Sequence, residues 1–289
     1  MTHLPDWLKT SVKLLLTGLA LYLVFQQVDI DQLQDLSQSL HWPWIAGAFF
    51  LFVWSKVATS IRLNHYFNNL GIHLSAWENW KLYLIGMFYN LFLPGGIGGD
   101  GYKVYLLHQE HKTPLKQLIK ASLLDRLSGL VAILVVLAVL FLWVEVPIPF
   151  TKTPFWFFLC LGLIPASLIA FWGVQHYFFG DFIPSFWPSM AWSLVGQVAQ
   201  MTCVYFLLLG LGIDQDLLAY QVIFLVSSLV AVLPLTIGGV GARELVMVYA
   251  HAYAGVEEAP AVAFSLLFFL ISASVSLVGA VIKRKAAKT

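Results

Sequence analysis

Charge is what this chain has least of. Asp, Glu, Lys and Arg together make up 11% of its 289 residues, against roughly a quarter in soluble domains. With 60% of its residues hydrophobic, a soluble fold would leave wide apolar patches in water. Cysteine is nearly missing as well. Cys160 and Cys203 both lie inside apolar runs, which suits small packing residues better than a disulfide or metal pair. The chain has no P-loop Lys-Ser/Thr pattern, no Ser-His-Asp set and no paired carboxylates. His108 and His111 lie three apart beside Glu110, with no further ligand to complete a metal site. These absences lead us to expect no enzyme activity, no metal, no cofactor and no ATP drive. The net charge of +1 gives no reason to expect a nucleic-acid partner.

What the chain does have is long apolar runs. Candidate spans fall at 11–26, 42–60, 127–145, 154–174, 188–210 and 259–282, each near the roughly 20 residues that cross a bilayer. The first follows Lys9 and Lys13, as in a signal peptide. Phe25, Gln26 and Gln27 stand where a small-x-small cleavage site would be, so a retained helix is expected. Two further stretches, 76–93 and 217–234, run straight into Leu-Pro and a glycine cluster.

Charge placement sets the expected topology. Lys283, Arg284, Lys285 and Lys288 put the C-terminus in the cytoplasm, and Lys9 and Lys13 do the same for the N-terminus. VDIDQLQDLSQS has three acids and no base, so it belongs outside. The segment from Lys56 to Arg126 carries eight basic residues and belongs near the cytoplasm. Asp214–Asp216 and Glu257–Glu258 belong outside. Both flanks of 76–93 are therefore basic and both flanks of 217–234 acidic. A simple crossing fits neither stretch. A hairpin that enters and leaves on one face fits both.

The two turns also match each other. LPGGIGGDGYK starts at Leu93 and LPLTIGGVGAR at Leu233, 140 residues later. Without a gap both read L-P-x-x-I-G-G-x-G-x-[K/R]. Three spans separate them, an odd number, so the second copy enters from the opposite face. Such inverted repeats are a transporter architecture. The alternative is a pair of helix-breaking turns in a structural bundle.

Gly96, Gly98 and Gly101 match the spacing of the dinucleotide fingerprint, but that fingerprint needs a strand before it and a helix after. Here an apolar stretch of membrane-segment length precedes it, and Thr236 replaces glycine in the second copy. The glycines and Pro94 or Pro234 instead break a helix at membrane depth. The N–H groups that open the next helix then suit an anion, with Lys103 and Arg243 following. Asp100, Asp125, Arg126, Arg243 and Glu244 are charged residues near these turns or at the start of a span, where buried charge marks function by default.

The ordered blocks FYNLFLPGGIGGDGYKVYLL, ASLLDRLSGL and VAVLPLTIGGVGARE resemble the transmembrane region of lysylphosphatidylglycerol synthase and its stand-alone, flippase-like relatives. The resemblance covers nearly the whole chain. It implies a module that moves lipid across the bilayer, apart from the soluble domain that performs aminoacyl transfer in the synthase. Because the sequence ends at Thr289, just after the last apolar run, that domain is not expected here. The family pattern maps onto Asn90, Pro94, Gly95, Gly96, Gly98, Gly99 and Asp100, then Asp125 and Arg126, then Pro234, Gly238, Gly239, Gly241, Arg243 and Glu244.

The expectation is an all-α integral membrane protein, one polytopic domain over 1–289 with halves near 1–126 and 127–289. It would hold about six spanning helices and two oppositely oriented re-entrant hairpins. Its expected work is flippase-like translocation of an anionic phospholipid or lipid-linked carrier in a bacterial inner membrane. Substrate would meet Asn90, Gly98, Gly99, Asp100, Lys103, Asp125, Arg126, Gly238, Gly239, Arg243 and Glu244. The alternative is a membrane partner that presents a lipid to an envelope-biosynthesis enzyme such as a glycosyltransferase.

Overall fold

The structure is a computed structural model. It describes residues 40–91, 98–144, 153–232 and 253–282, together with Arg243, Val246, Met247 and Tyr249. Every regular element among these residues is helical: α1 (Trp42–Asn68), α2 (Ala76–Asn90), α3 (Gly98–His111), α4 (Leu115–Phe141), α5 (Pro154–Phe178), a 3-10 turn (Gly180–Ser185), α6 (Phe186–Gly210), α7 (Leu217–Val232) and α8 (Glu258–Val281). Among the described residues, five helical segments are long and apolar enough to cross a membrane: α1, α4, α5, the 3-10 turn with α6, and α8. They correspond to five of the six expected spans. The sixth, 11–26, lies outside the described residues, as do both glycine turns at 92–97 and 233–242. The stretches set apart in the sequence form α2, which is not among the candidate spans, and the shorter apolar helix α7.

Local chemistry starts the helices. Ser75 and Glu78 form a reciprocal cap at the start of α2, where Ser75 Oγ accepts from the Glu78 N–H and Glu78 Oε2 accepts from the Ser75 N–H. Thr153 caps α5 by accepting from the Trp156 N–H. Pro114, which lacks an N–H to lose, stands just before α4.

The helices run past the apolar stretches. α4 was expected from 127, which would put Asp125 and Arg126 at its start. It begins at Leu115 instead, so both residues lie about two-fifths of the way along it. α1 likewise continues beyond 60 and takes Arg62 inside. A helix closes its own backbone hydrogen bonds whatever its side chains, so its ends follow caps and prolines rather than the edge of hydropathy.

α1 and α6 pack antiparallel along their length. A Cβ on Gly47 would meet the Phe206 ring at 2.7 Å, and one on Gly210 would meet Ile45 at 2.4 Å. Small residues of this kind let membrane helices approach closely. Polar rungs continue the seam. Asn69 Nδ2 donates to Ser185 Oγ (2.7 Å), Tyr66 Oη to Ser189 Oγ (2.8 Å), Arg62 Nη1 to Ser193 Oγ (3.3 Å) and Lys56 Nζ to Gln200 Oε1 (3.4 Å).

α2 and α3 lie side by side, with the Tyr89 and Tyr102 rings 3.9 Å apart between centroids. α8 closes on α2 so tightly that a Cβ on Gly279 would come within 2.2 Å of the Leu84 carbonyl oxygen. α5 is apolar on all sides, and most of its large side chains, among them Phe155, Phe158, Ile169 and Phe178, face outward.

Candidate functional site

Four helices converge on one polar cavity of about 160 Å³. α1 contributes Thr59 and Arg62. α2 contributes Tyr83, Gly86, Met87 and Asn90. α3 contributes Asp100 and Lys103, and α4 contributes Asp125 and Arg126. At roughly 30 Å³ per water, this is room for a small polar group and not for an acyl chain.

The charges form two linked sets. Arg62 Nε donates to Asp125 Oδ1 at 2.7 Å, with both side chains about nine-tenths buried. Ser128 Oγ donates to the Asp125 carbonyl (3.0 Å). Asp100 is forked: one carboxylate oxygen is 2.8 Å from Lys103 Nζ and the other accepts from Arg126 Nε. The adjacent Asp125 and Arg126 therefore serve different partners, because consecutive helix positions point about 100° apart. The cavity holds three cations against two carboxylates, so one positive charge is in excess. In a medium of low dielectric, that excess attracts an anion far more strongly than it would in water.

Glycines make the room. A Cβ on Gly99 would sit 1.9 Å from the Gly86 carbonyl oxygen, a backbone atom that cannot yield. A Cβ on Gly86 would press on the Lys103 stem at 2.9 Å, and one on Gly129 on the Arg62 guanidinium at 3.0 Å. Asn90 joins the two helices of the pair: its Oδ1 accepts from the Gly99 N–H at 2.7 Å. That N–H, at the helix start read as an anion site, is therefore committed to a side chain.

Of the residues expected to contact substrate, the structure brings Asn90, Asp100, Lys103, Asp125 and Arg126 to one cavity. Gly98 opens α3 and Gly99 packs behind the lining. Arg243 lies elsewhere, between Phe224 and Phe268, its guanidinium carbon 5.1 and 4.9 Å from their ring centroids. Gly238, Gly239 and Glu244 lie outside the described residues. Asn64 Nδ2 donates to the Leu74 carbonyl and Asn69 Nδ2 to Ser185 Oγ.

Sequence reasoning missed Arg62 as the partner of Asp125, and missed Thr59, Tyr83, Gly86 and Gly129. Arg62 had a readable signal. It is an arginine following a long apolar stretch, yet it was counted only as a cytoplasmic flank charge. Lys56 was counted the same way and sits at the middle of α1.

Comparison with family models matches residues 11–279 to the lysylphosphatidylglycerol synthase TM region. No curated protein matches the chain.

Proposed function

The chain belongs to the family of the lysylphosphatidylglycerol synthase TM region, and from that premise we propose that it translocates an anionic phospholipid or lipid-linked carrier across the bilayer in the manner of a flippase. The observation that carries this reading is the cavity. Three cations face two carboxylates between the membrane-length α1 and α4 and the shorter α2 and α3, and the space is sized for a headgroup. The acyl chains would stay in lipid while the headgroup exchanges salt-bridge partners with Asp100, Arg126 and Lys103. Such an exchange keeps each buried charge compensated during passage.

α2 and α3 act as the first re-entrant hairpin in this reading. At about 22 Å, α2 is shorter than the roughly 30 Å hydrocarbon core, and its Asn90–Gly99 bond ties the two arms together. In this reading the charge pattern puts both termini in the cytoplasm, and the family points to a bacterial inner membrane. Its role is carriage, not covalent chemistry.

The test is reconstitution. Purified protein goes into liposomes with headgroup-labelled phosphatidylglycerol, and an impermeant quencher reports sidedness. Wild type should speed crossing, and Arg126→Gln should reduce the rate at least about tenfold, as expected for the loss of one charge-assisted contact. If wild-type protein matches empty liposomes across several anionic lipids, translocation is rejected in favour of presentation to an envelope enzyme.

A further inference from the structure

Lys56 is the charge that the cavity does not use. It lies fourteen residues after Trp42 and twelve before Asn68, with roughly 20 Å of helix on either side. Among the described residues no carboxylate pairs with it. Its ammonium meets the neutral Gln200 Oε1 at 3.4 Å and the Phe52 ring at 4.7 Å. A charge in this position is costly and marks function by default.

A second cation approaches the same place. The Phe52 ring contacts Phe268 edge-on at 5.4 Å, Phe268 contacts Phe224 at 4.7 Å, and Arg243 stacks over both of these rings. Lys56 over Phe52 and Arg243 over Phe268 are thus joined through two touching rings. One turn from Gln200, the buried Gln197 has an amide nitrogen with no hydrogen-bond acceptor. Two cations and a spare amide donor, set among phenylalanines, match the oxygens of a phosphate group. Thr59 connects this place to the cavity. It lines the cavity and lies three residues from both Lys56 and Arg62, and the two basic residues are about 9 Å apart along α1.

We infer that Lys56 and Arg243, with Gln197 and Gln200, form a second phosphate station at mid-membrane depth between α1, α6, α7 and α8. It deepens the translocation reading and rests on it: a headgroup leaving the cavity would next meet this station. The second glycine motif, through Arg243, then supplies the counterpart of the first.

Protein in nanodiscs of phosphatidylglycerol and phosphatidylcholine, examined by native mass spectrometry, reports which lipid is retained. Wild type and Lys56→Arg should retain phosphatidylglycerol preferentially. Lys56→Gln and Arg243→Gln should each cut that preference about tenfold, the loss of one hydrogen bond to a charged group. Wild-type retention in Lys56→Gln overturns the station. Should Lys56→Gln not fold, Arg243→Gln alone decides, and unchanged preference there is equally fatal. Displacement of the lipid by excess inorganic phosphate assigns the station to any phosphate; persistence assigns it to the lipid headgroup. The two readings fail differently. Loss of retention without any wild-type crossing sinks translocation and leaves the station. Crossing that Arg126→Gln stops and Lys56→Gln does not, with retention unchanged, sinks the station and leaves translocation.

Discussion

At the scale of single residues, the glycines of the first motif separate into two kinds. Gly99 has a backbone carbonyl where its Cβ would go, whereas Gly101 has open space. Gly99→Ala should therefore prevent α2 and α3 from closing, and show as a large fall in melting temperature in detergent. Gly101→Ala should raise stability by about 0.5–1 kcal/mol, the ordinary gain of alanine over glycine within a helix. The Arg62–Asp125 pair gives a second contrast. Asp125→Leu leaves a buried guanidinium unmatched and should cost about 3–5 kcal/mol, while Arg62→Leu with Asp125→Leu should lose much less. Denaturant titration of the single and double variants checks this. Asp100 and Lys103 were legible as candidates because charge beside a glycine turn stands out in an apolar chain. Arg62 was not, because its partner is 63 residues away. Its place after a long apolar stretch was the one linear sign that a helix could carry it inward. Gly86 and Gly129 were illegible for a related reason: what they accommodate belongs to other helices.

At the scale of elements, five helices were readable from the length of their apolar runs, because the bilayer fixes that length. Their ends were not. Pro114 sets the start of α4 through a missing N–H, and a hydropathy window does not register such details. The packing of α8 on α2 depends on Gly279 lying against the Leu84 carbonyl. Gly279→Val should push these helices apart and lower the melting temperature, with little change in helix content by circular dichroism.

At the scale of the whole molecule, the charge pattern makes a topological prediction. A cysteine placed at Thr113, in a chain whose Cys160 and Cys203 are replaced by serine, should react with an impermeant maleimide from the cytoplasmic side. One at Asp214 should react from the outside. Labelling of both from one side would refute the crossings between them. The pairing of α1 with α6 joins the first half of the chain to the second, and its rungs have an unequal division of labour. Ser185, Ser189 and Ser193 recur every four residues, one helical turn, so the polar seam is like a vernier whose marks coincide again after a one-turn slip. The serine rungs alone would accept either phase. The Gly47–Phe206 and Ile45–Gly210 contacts at the far end do not repeat, and a slip would drive Ile45 into the position of Phe206. The serines supply adhesion and the glycines keep time: only the glycine end tells the two halves of the molecule which turn they are on.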